Sequence, residues 1–192
     1  SRKDHAIYIT DKDISVLTSK CGAKYEFTNQ QREVIKQVLS GSNISIIQGW
    51  AGAGKTTVSG EIVRHFLKEG YEVIGMAPTH KAAKELSDKI GIKTYTMAAL
   101  RRKWEIAAGI DSKLNLGIEY YKEQGYNDNF LKYSHNNSSN NASNNSSLIA
   151  RMHRQSVLIM DEISMIDLPN FDYFTSEVVR AGSKMICLGD NN

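Results

Sequence analysis

Residues 43–57 read NISIIQGWAGAGKTT: an apolar run, a glycine-rich loop, then a lysine and two threonines. Gly49, Gly54, Lys55 and Thr56 fill the spacing G-x-x-x-x-G-K-[ST], and each residue type has a physical task there. Glycines free of Cβ clashes let the backbone turn its N–H groups onto phosphate oxygens, and Lys55 brings a point charge to the outer phosphates. Thr56 opens a helix whose first N–H groups and dipole favour anions, with its hydroxyl placed for Mg2+. The candidate phosphate-binding residues are therefore Gly49, Gly52, Ala53, Gly54, Lys55, Thr56 and Thr57. Ile44, Ile46 and Ile47 predict a buried strand before the loop. Val58, Ile62 and Phe66 recur at helical spacing after it, with Gly70 as the stop.

Upstream of the loop, Thr28 followed by Gln31 is a capping box. It predicts a helix with Val34, Ile35, Val38 and Leu39 inward and Gly41 as its end. Residues 71–77 (YEVIGMA) predict a second strand closed by Pro78, and Thr79 caps a helix that stops at Gly91. A further helix is predicted over 94–108, with Met97, Leu100 and Trp104 on one face. Near its carboxyl end the chain reads SVLIMDE, a buried strand carrying Asp161 and Glu162. A helix from about 169 follows, with Phe171, Phe174 and Val178 inward and Gly182 as its stop, and then a last strand, KMICLGD. Strands alternating with helices predict an α/β fold with a doubly wound, mostly parallel sheet joined by right-handed crossovers. The loop, Pro78-Thr79, Asp161-Glu162 and Gly189-Asp190 then fall at carboxyl strand ends, the edge where such sheets bind ligands.

Composition bounds the rest. The 192 residues carry 24 Lys+Arg against 21 Asp+Glu and are 41% hydrophobic, which suits one α/β domain. A net charge of +3 does not by itself indicate a nucleic-acid partner. The sequence has no apolar run of membrane-spanning length and no signal-peptide core, so a cytoplasmic location is expected. Cys21 and Cys187 lie far apart without metal-ligand spacing and read as plain thiols. Residues 134–147 are dominated by Asn and Ser, a composition that cannot bury enough apolar area to offset chain entropy, and they read as a flexible surface loop.

Asp161, following a hydrophobic strand, suits an acid that holds Mg2+, and Glu162 beside it suits orientation of an attacking water. With these residues in place, the segments GWAGAGKTT, APTHKAAKEL, VLIMDEISMID and LGD resemble motifs I, Ia, II and the start of III of superfamily 1, RecD-like DNA helicases. The resemblance is closest to the helicase part of conjugative TraA/TraI-type relaxase-helicases and implies a RecA-like P-loop NTPase fold, the first motor domain of such an enzyme, over 27–192. Residues 1–26 form a lead-in segment. It also implies roles. Phe27-Thr28-Asn29-Gln30-Gln31 resembles the Q-motif, which would have Gln31 read the adenine of ATP, alongside its capping role. Lys55 would hold the outer phosphates, Thr56 and Asp161 the Mg2+, and Glu162 the water. Thr79, His80 and Lys81 stand where motif Ia grips single-stranded DNA. Thr96 stands at the motif Ib threonine, although KTYTMAAL departs from the related TIHS wording. Arg101, Arg102 and Lys103 read better as a solvated helix face than as a DNA contact, and Trp50 suits either stacking or packing.

The family's motif III continues from Gly-Asp to a glutamine, where this sequence has Asn191-Asn192 and stops. A second RecA-like domain and its arginine finger, typically contributing about 10³ to 10⁵ in phosphoryl-transfer rate, are not among the 192 residues. The stretch alone is therefore expected to bind nucleotide, to hydrolyse it poorly and not to unwind DNA, for want of the second motor domain or the relaxase part as partner. Two other readings remain at this point: a non-catalytic nucleotide-dependent binding module, and a small-molecule P-loop kinase. The kinase is disfavoured because the acidic pair suits hydrolysis.

Overall fold

A computed structural model describes residues 6–18, 24–50, 52–107 and 152–190. The chain divides into two compact units, 1–98 with 152–192, and 99–151. The Asn/Ser-rich segment and Cys21 lie outside the described residues.

In the first unit a short antiparallel pair, β1 (Leu17–Thr18) and β2 (Lys24–Tyr25), precedes α1 (Asn29–Ser40). There follow β3 (Ile44–Gly49), α2 (Lys55–Lys68), β4 (Glu72–Ala77), α3 (His80–Ile90) and β5 (Lys93–Thr96). Helix α4 (Met97–Ala107) leads into the second unit, and Leu100 and Trp104 on it are fully buried, as their spacing predicts. Strand β6 (Ser156–Met160), helix α5 (Leu168–Ala181) and strand β7 (Lys184–Asp190) complete the first unit. The five longer strands pair in the order β3-β7-β6-β4-β5, every pair parallel. The doubly wound parallel sheet expected from the alternation of elements is thus what forms.

Local chemistry sets the element ends. The Thr28 hydroxyl accepts from the Gln31 amide while the Gln31 carboxamide oxygen accepts from the Thr28 amide, closing the capping box. Thr79 and Asp167 cap α3 and α5 with the side-chain half of that pattern, accepting from the Ala82 and Asn170 amides. Gly91 and Gly182 end those helices in the left-handed conformation that only glycine adopts without cost.

Strand order then sets the layers. From β3 the chain crosses to β4 and on to β5 in one direction, so right-handed crossovers put α2 and α3 on one face. It returns to β6 and β7 in the opposite direction, which puts α5 on the other face, where it packs on β7 with Phe174 and Val178 buried. On the first face Val157, Ile159, Ile186 and Leu188 meet Ile35 and Leu39 of α1 and Ile62 and Phe66 of α2 in one core.

Two expectations are corrected. The run Ile44, Ile46, Ile47 is not buried throughout: β3 pairs only with β7 among the described residues, and Ile46 is 58% exposed while Ile47 is buried. An isoleucine run reads alike for a central strand and an edge strand, because strand order is not a local property. Residues 94–96 belong to a strand rather than to the start of a helix, because β5 pairs with 74–77 of β4. The helix begins only at Met97.

The segment before α1 joins the core. Ile14 and Phe27 are buried, and the Ile7 amide donates to the Leu39 carbonyl at 2.9 Å. Lys36 pairs with Asp11 at 2.8 Å, and Arg64 of α2 donates to the Asp13 carbonyl at 2.6 Å. Beneath these contacts the buried Glu61 accepts from the backbone N–H and hydroxyl of Ser15 and from the Arg64 guanidinium, with His65 against it at 3.2 Å. Burial pushes the Glu61 carboxyl up, but the Arg64 and Ser15 hydrogen bonds outweigh it and hold the group down at about 2. Burial pushes His65 below its ordinary value, and the Arg64 charge adds to this.

At the far end of β7, Lys184 is 2% exposed. Its Nζ donates to the Val38 carbonyl at 3.1 Å and the Gly41 carbonyl at 3.0 Å, and lies 5.7 Å over the Phe66 ring. The ammonium thereby ties the end of α1 to the sheet. Burial lowers it to about 8 and raises the Cys187 thiol to about 11.

Candidate functional site

The carboxyl end of the sheet opens on a cavity of about 950 Å³. Its lining includes Gly52, Gly54, Lys55, Thr56 and Thr57 from the loop and α2, Asp161 and Glu162 after β6, and Asp190 at the end of β7. Residues more than a hundred positions apart meet because β3, β7 and β6 are successive strands ending on one edge.

The loop has the backbone its glycines were read to need. Gly52 and Gly54 stand at φ 81° and 80°, where a side chain would be strained. At Gly54 there is a second constraint, because a Cβ would sit 2.8 Å from Gln31 Nε2. That carboxamide donates to the Ala53 carbonyl at 3.2 Å, so Gln31 both caps α1 and steadies the loop. Lys55 starts α2, and its Nζ donates to the Gly49 carbonyl at 2.7 Å and the Trp50 carbonyl at 3.0 Å. A smaller cleft of about 310 Å³ beside the loop is lined by Gln30, Gln31, Val34, Trp50 and Val58, among others. Trp50 is 70% exposed and is therefore not packed inside the fold.

On the acidic side, burial raises the Asp161 carboxyl above its ordinary value; the Glu162 amide bond opposes this and the Asp190 charge adds to it. Glu162 has φ 51°, a left-handed conformation that is costly for a residue with a side chain and tends to persist at functional sites. Its amide donates to Asp161 Oδ1 at 3.0 Å. The oxygen set of the Thr56 hydroxyl and the Asp161 carboxylate suits Mg2+, which takes one or two protein oxygens and fills its octahedron with waters and phosphates. A divalent ion there would also offset the crowding of the Asp161 and Asp190 charges.

Thr79, His80 and Lys81 do not line this cavity; they are exposed at the start of α3, with the Thr79 hydroxyl engaged as its cap. Thr96 is buried at the end of β5, apart from that group in burial. Arg101 pairs with Glu105 at 2.9 Å, and Arg102 and Lys103 are exposed, as a solvated face requires. Sequence reasoning put Gly189-Asp190 at this ligand-binding edge but gave Asp190 no role there, although its signal, an acid ending an apolar strand, was present.

The parallel sheet, the glycine loop and the acidic pair at its carboxyl edge define an α/β P-loop NTPase domain of the RecA-like class. The chain belongs to the AAA domain family, which residues 26–192 match. It is 24% identical over 190 residues to the conjugal transfer protein TraA of Agrobacterium fabrum, covering 96% of this chain and 14% of that protein. It is 26% identical over 182 residues to the DNA replication ATP-dependent helicase/nuclease DNA2 of Saccharomyces cerevisiae, covering 93% of this chain and 12% of that protein. It is also 38% identical over 82 residues to a regulator of nonsense transcripts 1 homolog of Arabidopsis thaliana, 41% of this chain and 6% of that protein. The chain thus spans a small part of each relative's length. Among the described residues no helix is long and apolar enough to cross a membrane.

Proposed function

We propose that this chain binds ATP with Mg2+ and serves as the first motor domain of an ATP-dependent DNA helicase in a conjugative DNA-transfer protein. The observation that supports this most is the convergence of Lys55, Thr56, Asp161 and Glu162 on one cavity at the carboxyl edge of the sheet. The loop N–H groups and Lys55 bind the phosphates, Gln31 meets the adenine beside Trp50, and Thr56 with Asp161 holds the metal. When bound, Mg2+ neutralises charge on the transferring phosphoryl group. Glu162, which lines the cavity on its unusual backbone, orients the attacking water and accepts its proton. The similarity to TraA and to DNA2 supports a nucleic-acid track. In this reading the track runs over the exposed start of α3, where Thr79, His80 and Lys81 meet single-stranded DNA through backbone N–H groups and one charge. Efficient hydrolysis and unwinding call on a second motor domain that supplies an arginine and a surface to step against.

Melting with Mg2+ and a non-hydrolysable ATP analogue tests the nucleotide site. Ligand at about 100 times its Kd stabilises by about 2.7 kcal/mol, a rise of about 5 to 10 °C for a chain of this size. A rise that survives Lys55→Ala unchanged rules the site out. The track is tested by anisotropy of a labelled oligonucleotide over a salt series. Each phosphate contact contributes a slope of about −0.7 in log K against log salt, and Lys81→Ala removes about one contact. Equal slopes for the two proteins take Lys81 off the track.

A further inference from the structure

Lys55 has an acidic partner that the phosphate-binding role alone does not explain. Besides its two carbonyl acceptors, Nζ lies 2.5 Å from Asp190 Oδ1. Nζ donates to the Gly49 and Trp50 carbonyls, and the Asp190 carboxylate pairs with its charge. The acid is not on a wandering loop. It is the last residue of β7, and the β3–β7 register sets it directly opposite Gly49, the first glycine of the loop. The Lys55 side chain is 14% exposed and that of Asp190 50%, so the pair stands at the cavity wall where an entering anion reaches it.

Resting on the nucleotide-binding reading above, we propose that Asp190 is the counter-ion of Lys55, a positioning residue that an incoming polyphosphate must displace. Two consequences follow from charge alone. A ligand gains Lys55 only by replacing an existing ion pair, so weakly charged anions compete poorly for it. Once phosphate takes the ammonium, the Asp190 carboxylate is left uncompensated beside Asp161 and the phosphates, and three like-charged groups in one cavity call for a cation. Asp190 thereby makes nucleotide affinity depend on Mg2+ more steeply than Thr56 and Asp161 would alone.

The test is the Kd of a fluorescent non-hydrolysable ATP analogue, measured on the 192-residue chain in EDTA and in Mg2+, with Lys55→Ala as the control. Asp190→Asn keeps the size of the side chain and removes its charge. It is expected to tighten binding in EDTA about two- to fivefold and to shrink the affinity gain from Mg2+ by the same factor, the range set by a partly exposed ion pair. Asp190→Glu restores the carboxylate and should return both values towards wild type, which a merely structural role would not produce. Asp190→Ser serves the same purpose if Asp190→Asn does not fold. Unchanged or weaker binding by Asp190→Asn in EDTA, while wild type binds and Lys55→Ala does not, overturns the inference and leaves the nucleotide site standing. Absence of binding by wild type, or binding indifferent to Lys55→Ala, overturns both.

Discussion

Lys55 and Lys184 sit at opposite ends of the sheet, and each ammonium donates to two backbone carbonyls of a neighbouring segment. They differ in what surrounds that pattern. Lys184 is sealed by burial, its remaining face covered by the Phe66 ring, and nothing can exchange with it. Lys55 lines an open cavity and has a carboxylate as its third partner, so an anion can trade places with Asp190 without leaving a donor unsatisfied. One geometry thus serves a permanent tie and a replaceable one, and access to solvent decides which.

The contrast can be broken most directly at Lys184. Lys184→Ala strips the Val38 and Gly41 carbonyls of their donor and opens a void beside Phe66, so stability should fall by about 3 to 4 kcal/mol, read from the urea midpoint. A loss below about 1 kcal/mol would mean that water takes over the tie.

Glu61 comes next. The folded chain keeps it charged down to about 2, whereas its ordinary value is 4.5, so the unfolded chain takes up the proton first. Its contribution is fully present above about pH 4.5 and is lost as pH falls towards 2, by about 3 kcal/mol at most. Stability measured against pH should show that acid limb in wild type and a flattened one in Glu61→Gln; identical limbs would place the acid sensitivity elsewhere.

Ser15→Ala removes one hydrogen bond to a buried charge and should cost about 1 to 2 kcal/mol by chemical denaturation. The effect should vanish in a Glu61→Gln background if the two act as one unit. At the working end, Lys55→Ala without ligand should change stability by less than about 1 kcal/mol, since its partners remain open to water. A large loss there would erase the distinction between the two lysines.

What could be read from sequence follows the range of the interaction. Thr28, Thr79, Gly91 and Gly182 act within a turn of their own position, and each sits where its residue type placed it. The loop, Asp161 and Glu162 were legible because they follow apolar strands in a known spacing. Ile46, by contrast, looks like Ile47 until the strand order leaves one of them facing out. Residues 93–96 form a strand only through pairing with 74–77, and Lys184 finds its carbonyls 146 and 143 positions away. Asp190 carried a local signal, yet its tie to Lys55 depends on the β3–β7 register. None of these contacts leaves a periodicity behind.

The clasp of Ser15 and Asp13 on α2 bears on where the gene can be cut. The family match starts at residue 26, which makes that position an inviting first codon for a shorter protein. A version begun there would lose Ile14 from the core and strip Glu61 of its Ser15 partners, while Arg64 would lose the Asp13 carbonyl. The helix that starts at Lys55 would then carry an acid that has lost two of its donors, beside core side chains stripped of their cover, and the trimmed protein would be a poor choice for expression or for any assay of nucleotide binding.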